Sequence, residues 1–523
     1  MFKFRRIAAF LLALVMLLPV MAGCGKKSIN EGIKDPAKLN VGKLDDSEIE
    51  LSIFFHIFGY CVYDDEWQVF TEAAKRTGVT LKGTSSEMVS DSAQAFTTML
   101  MSDKLPDIVA YNGDELKTAG MDGVLIPLEG LIEEYAPNIK KFMDENPEAR
   151  AVATAADGHI YYIPGTAAEP GLGNIPSMGW FIRQDWLEKL GLETPKTVDE
   201  LYTVYKAFRD KDPNGNGQKD EIPYFSRNGF VSDLYQLWGA NNSIYVKGDK
   251  FVAGYTEDST KTALVNMAKW YKEGLIDKEI FTRGGQAREQ LLSSDKGGST
   301  HDWFSSTSSY NSKYANLNNK FVHMTPPADV NGVIKEYSGR GFIRSMGWGI
   351  SVDNEYAART MKYFDYWFTE EGMTLHSCGV EGVHYNVVDG KKVFTDEVIN
   401  AEGGAPSYLR NIGANVEVGC PTTLDSELAT MHEIGLAGYM EYLDNKYVID
   451  QTPTLSFTED EQEIISLYMT DIQSYVGECE QKWILGSSDI NADWDGYVAE
   501  LKNRGLDEVL KVYNAAYDRY KAL

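Results

Sequence analysis

Residues 212–221, DPNGNGQKDE, set three carboxylates and two asparagine amides around two glycines. Laid out as a cation-binding loop, Asp212, Asn214 and Asn216 take the first, third and fifth positions. Gly217 falls at the sixth, where the chain must turn sharply, and Gln218 offers its main-chain carbonyl at the seventh. Asp220 stands at the ninth. The twelfth position, ordinarily a bidentate glutamate, is Pro223, and Glu221 is the natural substitute. Such an oxygen-donor set suits calcium, a hard cation with flexible geometry. Asp, Asn and Gly also build turns without metal, but three carboxylates buried together with no cation would repel one another. The sequence therefore predicts a structural Ca2+ held by Asp212, Asn214, Asn216, Gln218, Asp220 and Glu221, stapling a helix to the strand-like IPYF that follows.

Catalytic patterns are missing by comparison. No GxSxG elbow, HExxH, P-loop or strand-linked GxGxxG occurs. His376, Cys378 and His384 in HSCGVEGVH match no standard zinc spacing and read as ordinary buried or surface residues. Cys61, Cys378, Cys420 and Cys479 form no CxxC, and four cysteines allow three disulfide pairings among which the sequence does not choose. A glycoside hydrolase needs two carboxylates flanking a scissile bond. With 77 Asp and Glu residues any such pair could be invented, so a secreted carbohydrase stands only as an alternative.

The elements around these residues belong to a chain of 523 residues, too long for one core. Hydrophobic residues make up 43% and charged residues 24%, as in a globular protein, and the formal charge of −27 argues against a nucleic-acid partner. Lys3, Arg5 and Arg6 precede an uncharged apolar run to Gly23, the pattern of a signal peptide over 1–23. Met21-Ala22-Gly23-Cys24 resembles a bacterial lipobox, which implies cleavage before Cys24 and a lipid on its sulfur; a retained anchor or plain secretion are the other readings. Residues 24–48 read as a flexible lipidated tether. The expected location is the outer face of the bacterial cell membrane, held by the lipid alone.

Beyond the tether the pattern is α/β. ELSIFFHIF (50–58), a helix over 66–78, the strand VTLKG, a helix reaching about Asp103 and a strand near 107–111 give βαβαβ, a mostly parallel sheet covered by helices. Ligands bind such sheets beyond the carboxyl ends of the strands, here GYCVYDD and YNGDE. The pattern restarts at SMGWFIRQDWLEKLG (177–191), followed by the helix TVDELYTVYKAFRD, in which Thr197 and Glu200 form a capping box. GFIRSMGWGIS (341–351) is strand-like, and the chain closes on a helical hairpin broken at Gly505.

IRQDWLEKLGLETPKTVDEL, the DPNGNGQKDEIP loop, EGVHYNVVDGKKVFTDE and the tyrosine-rich closing helix together resemble the extracellular solute-binding lipoproteins of ABC importers. Within these the likeness is to the oligosaccharide-binding family 1, related to alginate- and maltose-binding proteins, and runs from about residue 50 to the end. The resemblance implies a two-lobed periplasmic-binding-protein-like fold with a hinge and a ligand cleft between the lobes. It also implies no catalysis, an oligosaccharide ligand, ABC permease subunits as partners and a monomer. The alginate-binding relatives carry Asp-Glu where Asp220 and Glu221 stand. The expected division is an N-lobe over 49–165, a C-lobe with the calcium loop over 166–340, a return to the N-lobe over 341–372, and a largely helical segment 373–523 shared between the lobes.

Sugar sites pair aromatic platforms for C–H faces with planar polar groups for hydroxyls. Four stretches combine both: Asp302 and Trp303; Asp233, Tyr235 and Trp238; Tyr111, Asn112 and Asp114; Arg344 and Trp348. Trp303 and Trp238 lead, because the maltose-binding relatives carry aromatics there. Tyr60, with Asp64 and Asp65, is a further candidate, whereas Trp186, Trp367 and Trp494 lie on helical faces and read as core or interface. Arg183, Arg340 and Arg344 would serve an acidic ligand; the sugar's identity stays open, and a peptide or other solute is an alternative.

Overall fold

The computed structural model describes residues 47–522 except 60, 87, 167–173, 228–230, 308–309, 318, 402–403 and 417. The signal peptide, Cys24, the tether as far as residue 46, and Tyr60 lie outside the described residues.

Two lobes are built on two sheets. In the first, β1 (Ile49–Ile57) carries β3 (Val79–Gly83) and β4 (Ile108–Asn112) on either side, both parallel to it. The short β2 (Cys61–Val62) folds back on the end of β1. The burial pattern of β1 turns continuous in its second half, as expected of a strand covered on both faces. The intervening helix Gln68–Thr77 stops at Gly78, whose φ of 68° fits the left-handed C-cap a glycine adopts without strain. β5 (Ile163–Thr166) and β14 (Ile343–Ile350) complete this sheet as antiparallel partners, β14 lying between β4 and β5. The first core continues through Trp348, Trp367, Cys378, Tyr385 and Leu409 to Cys420, so the segment after the return strand also packs with it through these side chains.

The second sheet runs β12 (Phe321–Met324), β7 (Met178–Arg183), β11 (Gly297–Trp303), β8 (Ile222–Tyr224), with β8 parallel to β11. One face packs on the helices Val198–Asp210 and Asp258–Lys272 and on the closing helices Glu459–Ile484, Ile490–Asn503 and Leu506–Lys521. The other packs on Phe304, Tyr310, Tyr439 and Tyr442. The hairpin of β9 (Ile244–Lys247) and β10 (Lys250–Ala253) rests on the last of these helices, and β15 (Tyr385–Val388) with β16 (Lys391–Phe394) forms a separate hairpin. The closing hairpin breaks at Gly505 as read: its φ is +93°, and a Cβ there would meet the Tyr468 ring at 2.5 Å. Thr197 does cap its helix, but Glu200 accepts from the amide of Lys196, not Thr197, so the expected capping box is only half made.

The lobes are joined where β6 (Ile175–Pro176) pairs with β13 (Gly339–Arg340). Residues 448–458 run alongside: Ile449 N donates to the Glu336 carbonyl, Asn174 to Asp450, and Ser456 takes a bond from Lys117 of the first lobe. Cys61, Cys378, Cys420 and Cys479 are all buried, and no disulfide forms among the described residues. His376 is buried with Nδ1 on the Pro421 carbonyl, and burial lowers its pKa to about 4. His384 Nδ1 accepts from the Val380 amide. Burial keeps both imidazoles neutral. No described helix is long and apolar enough to cross a membrane.

Candidate functional site

The carboxyl ends of the parallel strands in both lobes face the connecting segments. β4 ends at Asn112, opposite Met346 of β14, and β11 ends at Trp303, opposite Met178. The pair β6–β13 lies immediately before β7 and β14, which ties both edges to the crossing. Trp303 is 40% exposed and is the candidate tryptophan that offers its ring to solvent; Trp238 and Trp348 are buried. Its main-chain amide donates 2.7 Å to Asp302 Oδ1.

Asp302 was expected beside the ligand, but it is fully buried and does another job. It accepts from Tyr310 Oη at 2.7 Å, Arg288 Nη1 at 3.2 Å and Arg227 Nη1 at 3.3 Å, which fixes the loop that carries Trp303. Four further candidates are also core residues, correcting their reading as stacking platforms. Tyr111 stacks on Phe96 at 4.4 Å, Trp348 stacks on Phe364 at 4.6 Å, Trp238 meets Trp270 edge-on at 5.2 Å, and the Tyr235 hydroxyl is bonded to half-buried Glu480. Tyr and Trp fill interiors as well as they fill binding sites, and tertiary partners decide which. Trp186, Trp367 and Trp494 are core, as expected. Asn112 and Arg344 are half-buried at the sheet edge, and exposed Asp114 pairs with Lys117 at 3.0 Å. Asp65 is held by Lys82 and the Gly83 amide.

Asp233 borders a polar cavity of about 260 Å³ shared with Gln236, Asn241, Tyr337, Ser338 and Gln451. Behind it stands His301, fully buried on β11, with Nδ1 3.4 Å from Asp233 and Nε2 3.1 Å from the fully buried Glu336. Burial alone would lower the His301 pKa, but the charges of Glu336 and Asp233 outweigh it and raise it to about 10. The imidazole is therefore a cation at neutral pH. Glu336 also accepts from Ser338 N at 2.7 Å, so this pair fastens the second crossing segment to the second lobe. The separation of 35 residues hid it from local pattern reading.

Two arginines escaped the sequence reading in the same way. Arg227 and Arg288 meet at Asp302 across 75 and 14 residues. The arginines singled out instead are committed elsewhere: Arg183 is buried between Asp185 and Asp295 over the Trp186 ring, and Arg340 pairs with Glu427.

In the 212–221 loop, Asp212 Oδ1 accepts from Gly215 N and Asn216 N, and Oδ2 from Gly217 N. Gly217 takes φ +81°, the turn its position demands. Asn216 Nδ2 reaches Asp220, which also pairs with Lys296 at 2.9 Å, and the Gln218 side chain is exposed. Glu221 is buried with Oε2 unpartnered, and burial, then repulsion from Asp212 and Asp220, raises its pKa. Among the described residues no three His, Cys, Asp or Glu side chains stand together in ligating geometry. The fit to an ion rests on the oxygen-donor set and on the orphaned Glu221 oxygen, which a cation would satisfy.

The sequence model for the bacterial extracellular solute-binding proteins matches residues 63–374. The chain is 28% identical to the fructooligosaccharide ABC transporter substrate-binding protein FusA of Streptococcus pneumoniae serotype 4, over 99% of each chain. A solved structure of the FusA EF-hand mutant in complex with fructo-nystose, 27% identical, covers 91% of this chain and 100% of its own at a TM-score of 0.71. The alginate-binding protein AlgQ2, solved without calcium ion, is 35% identical and covers 91% of this chain and 99% of its own at a TM-score of 0.79. Lipoprotein LipO of Bacillus subtilis strain 168 is 28% identical over 61% of this chain and 64% of its own.

Proposed function

The chain belongs to the bacterial extracellular solute-binding protein family, and we propose that it captures an oligosaccharide between its lobes and delivers it to an ABC permease. The observation that carries this reading is Trp303: an aromatic face open to solvent, seated at a strand's carboxyl end beside the crossing strands and braced from below by Asp302. Asp233 and the polar cavity beside it, with Asn112, Asp114 and Arg344 from the first lobe, supply hydroxyl partners. A ligand touching both lobes stabilises the closed arrangement, which is the form a permease would recognise. FusA and AlgQ2, a fructooligosaccharide and an alginate binder by description, support a carbohydrate ligand. Likeness to binding proteins supports a role without catalysis. The lipobox, together with the lipoprotein relative LipO, supports anchoring through Cys24 at the outer face of the membrane. The AlgQ2 and FusA EF-hand structures support calcium in the 212–221 loop, held by Asp212, Asn214, Asn216, Gln218, Asp220 and Glu221.

Calorimetric titration of the mature protein against neutral and acidic oligosaccharides, with product analysis alongside, tests the reading. Binding without turnover is expected, and Trp303→Ala should weaken it about fivefold or more (~1 kcal/mol) with an unchanged melting temperature. Unchanged affinity would remove Trp303 from the site. Sugar cleavage would move the protein to the carbohydrases, and binding of peptides but of no sugar would replace the ligand class.

A further inference from the structure

Beneath Trp303 two guanidinium groups converge on one buried carboxylate. Asp302 receives Arg227 at 3.3 Å and Arg288 at 3.2 Å, and Ser306 Oγ stands 3.2 Å from the Nη1 atoms of both arginines. Glu289 is 3.6 Å from Arg288 and is shared with Lys313 and Tyr314. Arg227, Arg288 and Lys313 thus face Asp302 and Glu289, three cations against two anions, a local positive excess on a chain of net charge −27. Arg227 follows β8 and Trp303 ends β11, parallel neighbours whose carboxyl ends point the same way. Only Nη1 of Arg227 is engaged among the described residues, and its side chain is 31% exposed. Its Nε–Nη2 edge is the face of a guanidinium that takes a carboxylate through two parallel hydrogen bonds. Asp302 holds that plane in advance, so little side-chain freedom is lost when an anion arrives.

We propose that the ligand bears carboxylates, a uronate-containing oligosaccharide, and that Arg227 reads one of them while a sugar ring lies on Trp303. This rests on the assignment of Trp303 to the sugar site. Arg288, turned toward Asp302 and the Tyr310 ring, is a positioning residue that strengthens the local field.

The test titrates the protein with uronate trimers (mannuronate, guluronate, galacturonate), their methyl esters, and the neutral trimers kestose, maltotriose and mannotriose. At least one uronate trimer should bind. Its methyl ester and the Arg227→Gln variant should each bind about ten- to a hundredfold more weakly, as expected for a lost charge-assisted pair. Arg227→Lys should recover only part, because it restores charge without the fork. If Arg227→Gln melts lower than the parent, the ester comparison on the parent protein still decides. Tight binding of a neutral trimer with no uronate binding would overturn the proposal and leave the sugar reading standing. Equal affinity for acid and ester would overturn it too, and binding of neither class would remove both.

Discussion

Replacing Glu336 by Ala should destabilise the protein at pH 7 by about 3–5 kcal/mol, the loss typical when one partner of a buried ion pair is removed. Glu336 and His301 are both fully buried, and the charged imidazole would be left with only Asp233. The amide of Ser338 would lose its acceptor as well. Glu336→Gln keeps the shape and separates charge from packing. The pH dependence carries a definite sign. His301 has a folded pKa of about 10, above the value near 6.5 of an unfolded chain, so it binds a proton more tightly when folded. Its contribution is fully present below pH ~6.5, declines as pH rises, and is gone above pH ~10. Urea denaturation of the parent and Glu336→Gln from pH 6 to 10 should therefore give curves that converge toward high pH. Parallel curves would mean that His301 is neutral. The pair also bears on function, because Glu336 opens the segment that runs through β13 into β14. Pinned to the second lobe, that segment can pass movement to the first, and ligand affinity should fall in Glu336→Ala beyond what misfolded material explains.

Local chemistry made much of this protein legible. The βαβαβ start could be read because strand and helix periodicities lie within single segments, and the tight turn at 212–217 because its Asp, Asn and Gly residues are neighbours in sequence. Aromatics were harder. Trp303 and Trp348 sit in similar small-residue surroundings, yet one ends a strand at the lobe edge and the other lies mid-strand on Phe364. Only the register of β14 between β4 and β5 separates them. Asp302 looked like a ligand contact because it adjoins Trp303; its partners arrive from Arg227, Arg288 and Tyr310. His301, Glu336 and Asp233 come from three separate segments, and nothing local announces a long-range ion pair. The cysteines follow the same rule, since disulfide pairing depends on distances that spacing alone does not set.

Calcium should raise the melting temperature, and Glu221→Gln should abolish that response while making the calcium-free protein more stable. The two signs come from one atom. Glu221 Oε2 is buried without a partner, and burial together with the charges of Asp212 and Asp220 disfavours its ionised form. In chelator the charge is a liability, and the neutral amide removes it; with calcium the same charge is the attraction that holds the ion. At a thousand times the dissociation constant, binding would stabilise the folded form by about 4 kcal/mol. For a lobe of this size that corresponds to roughly 2–4 °C per kcal/mol. The loop joins the helix Val198–Asp210 to β8, and β8 carries the chain directly to Arg227. Calcium should therefore also tighten ligand binding without touching the ligand, by ordering the strand that sets the arginine. Differential scanning calorimetry of the parent and Glu221→Gln, each in calcium and in chelator, gives the four values required. A calcium response that survives Glu221→Gln unchanged would remove Glu221 from the ligand set. A parent protein indifferent to calcium would make the loop a polar turn.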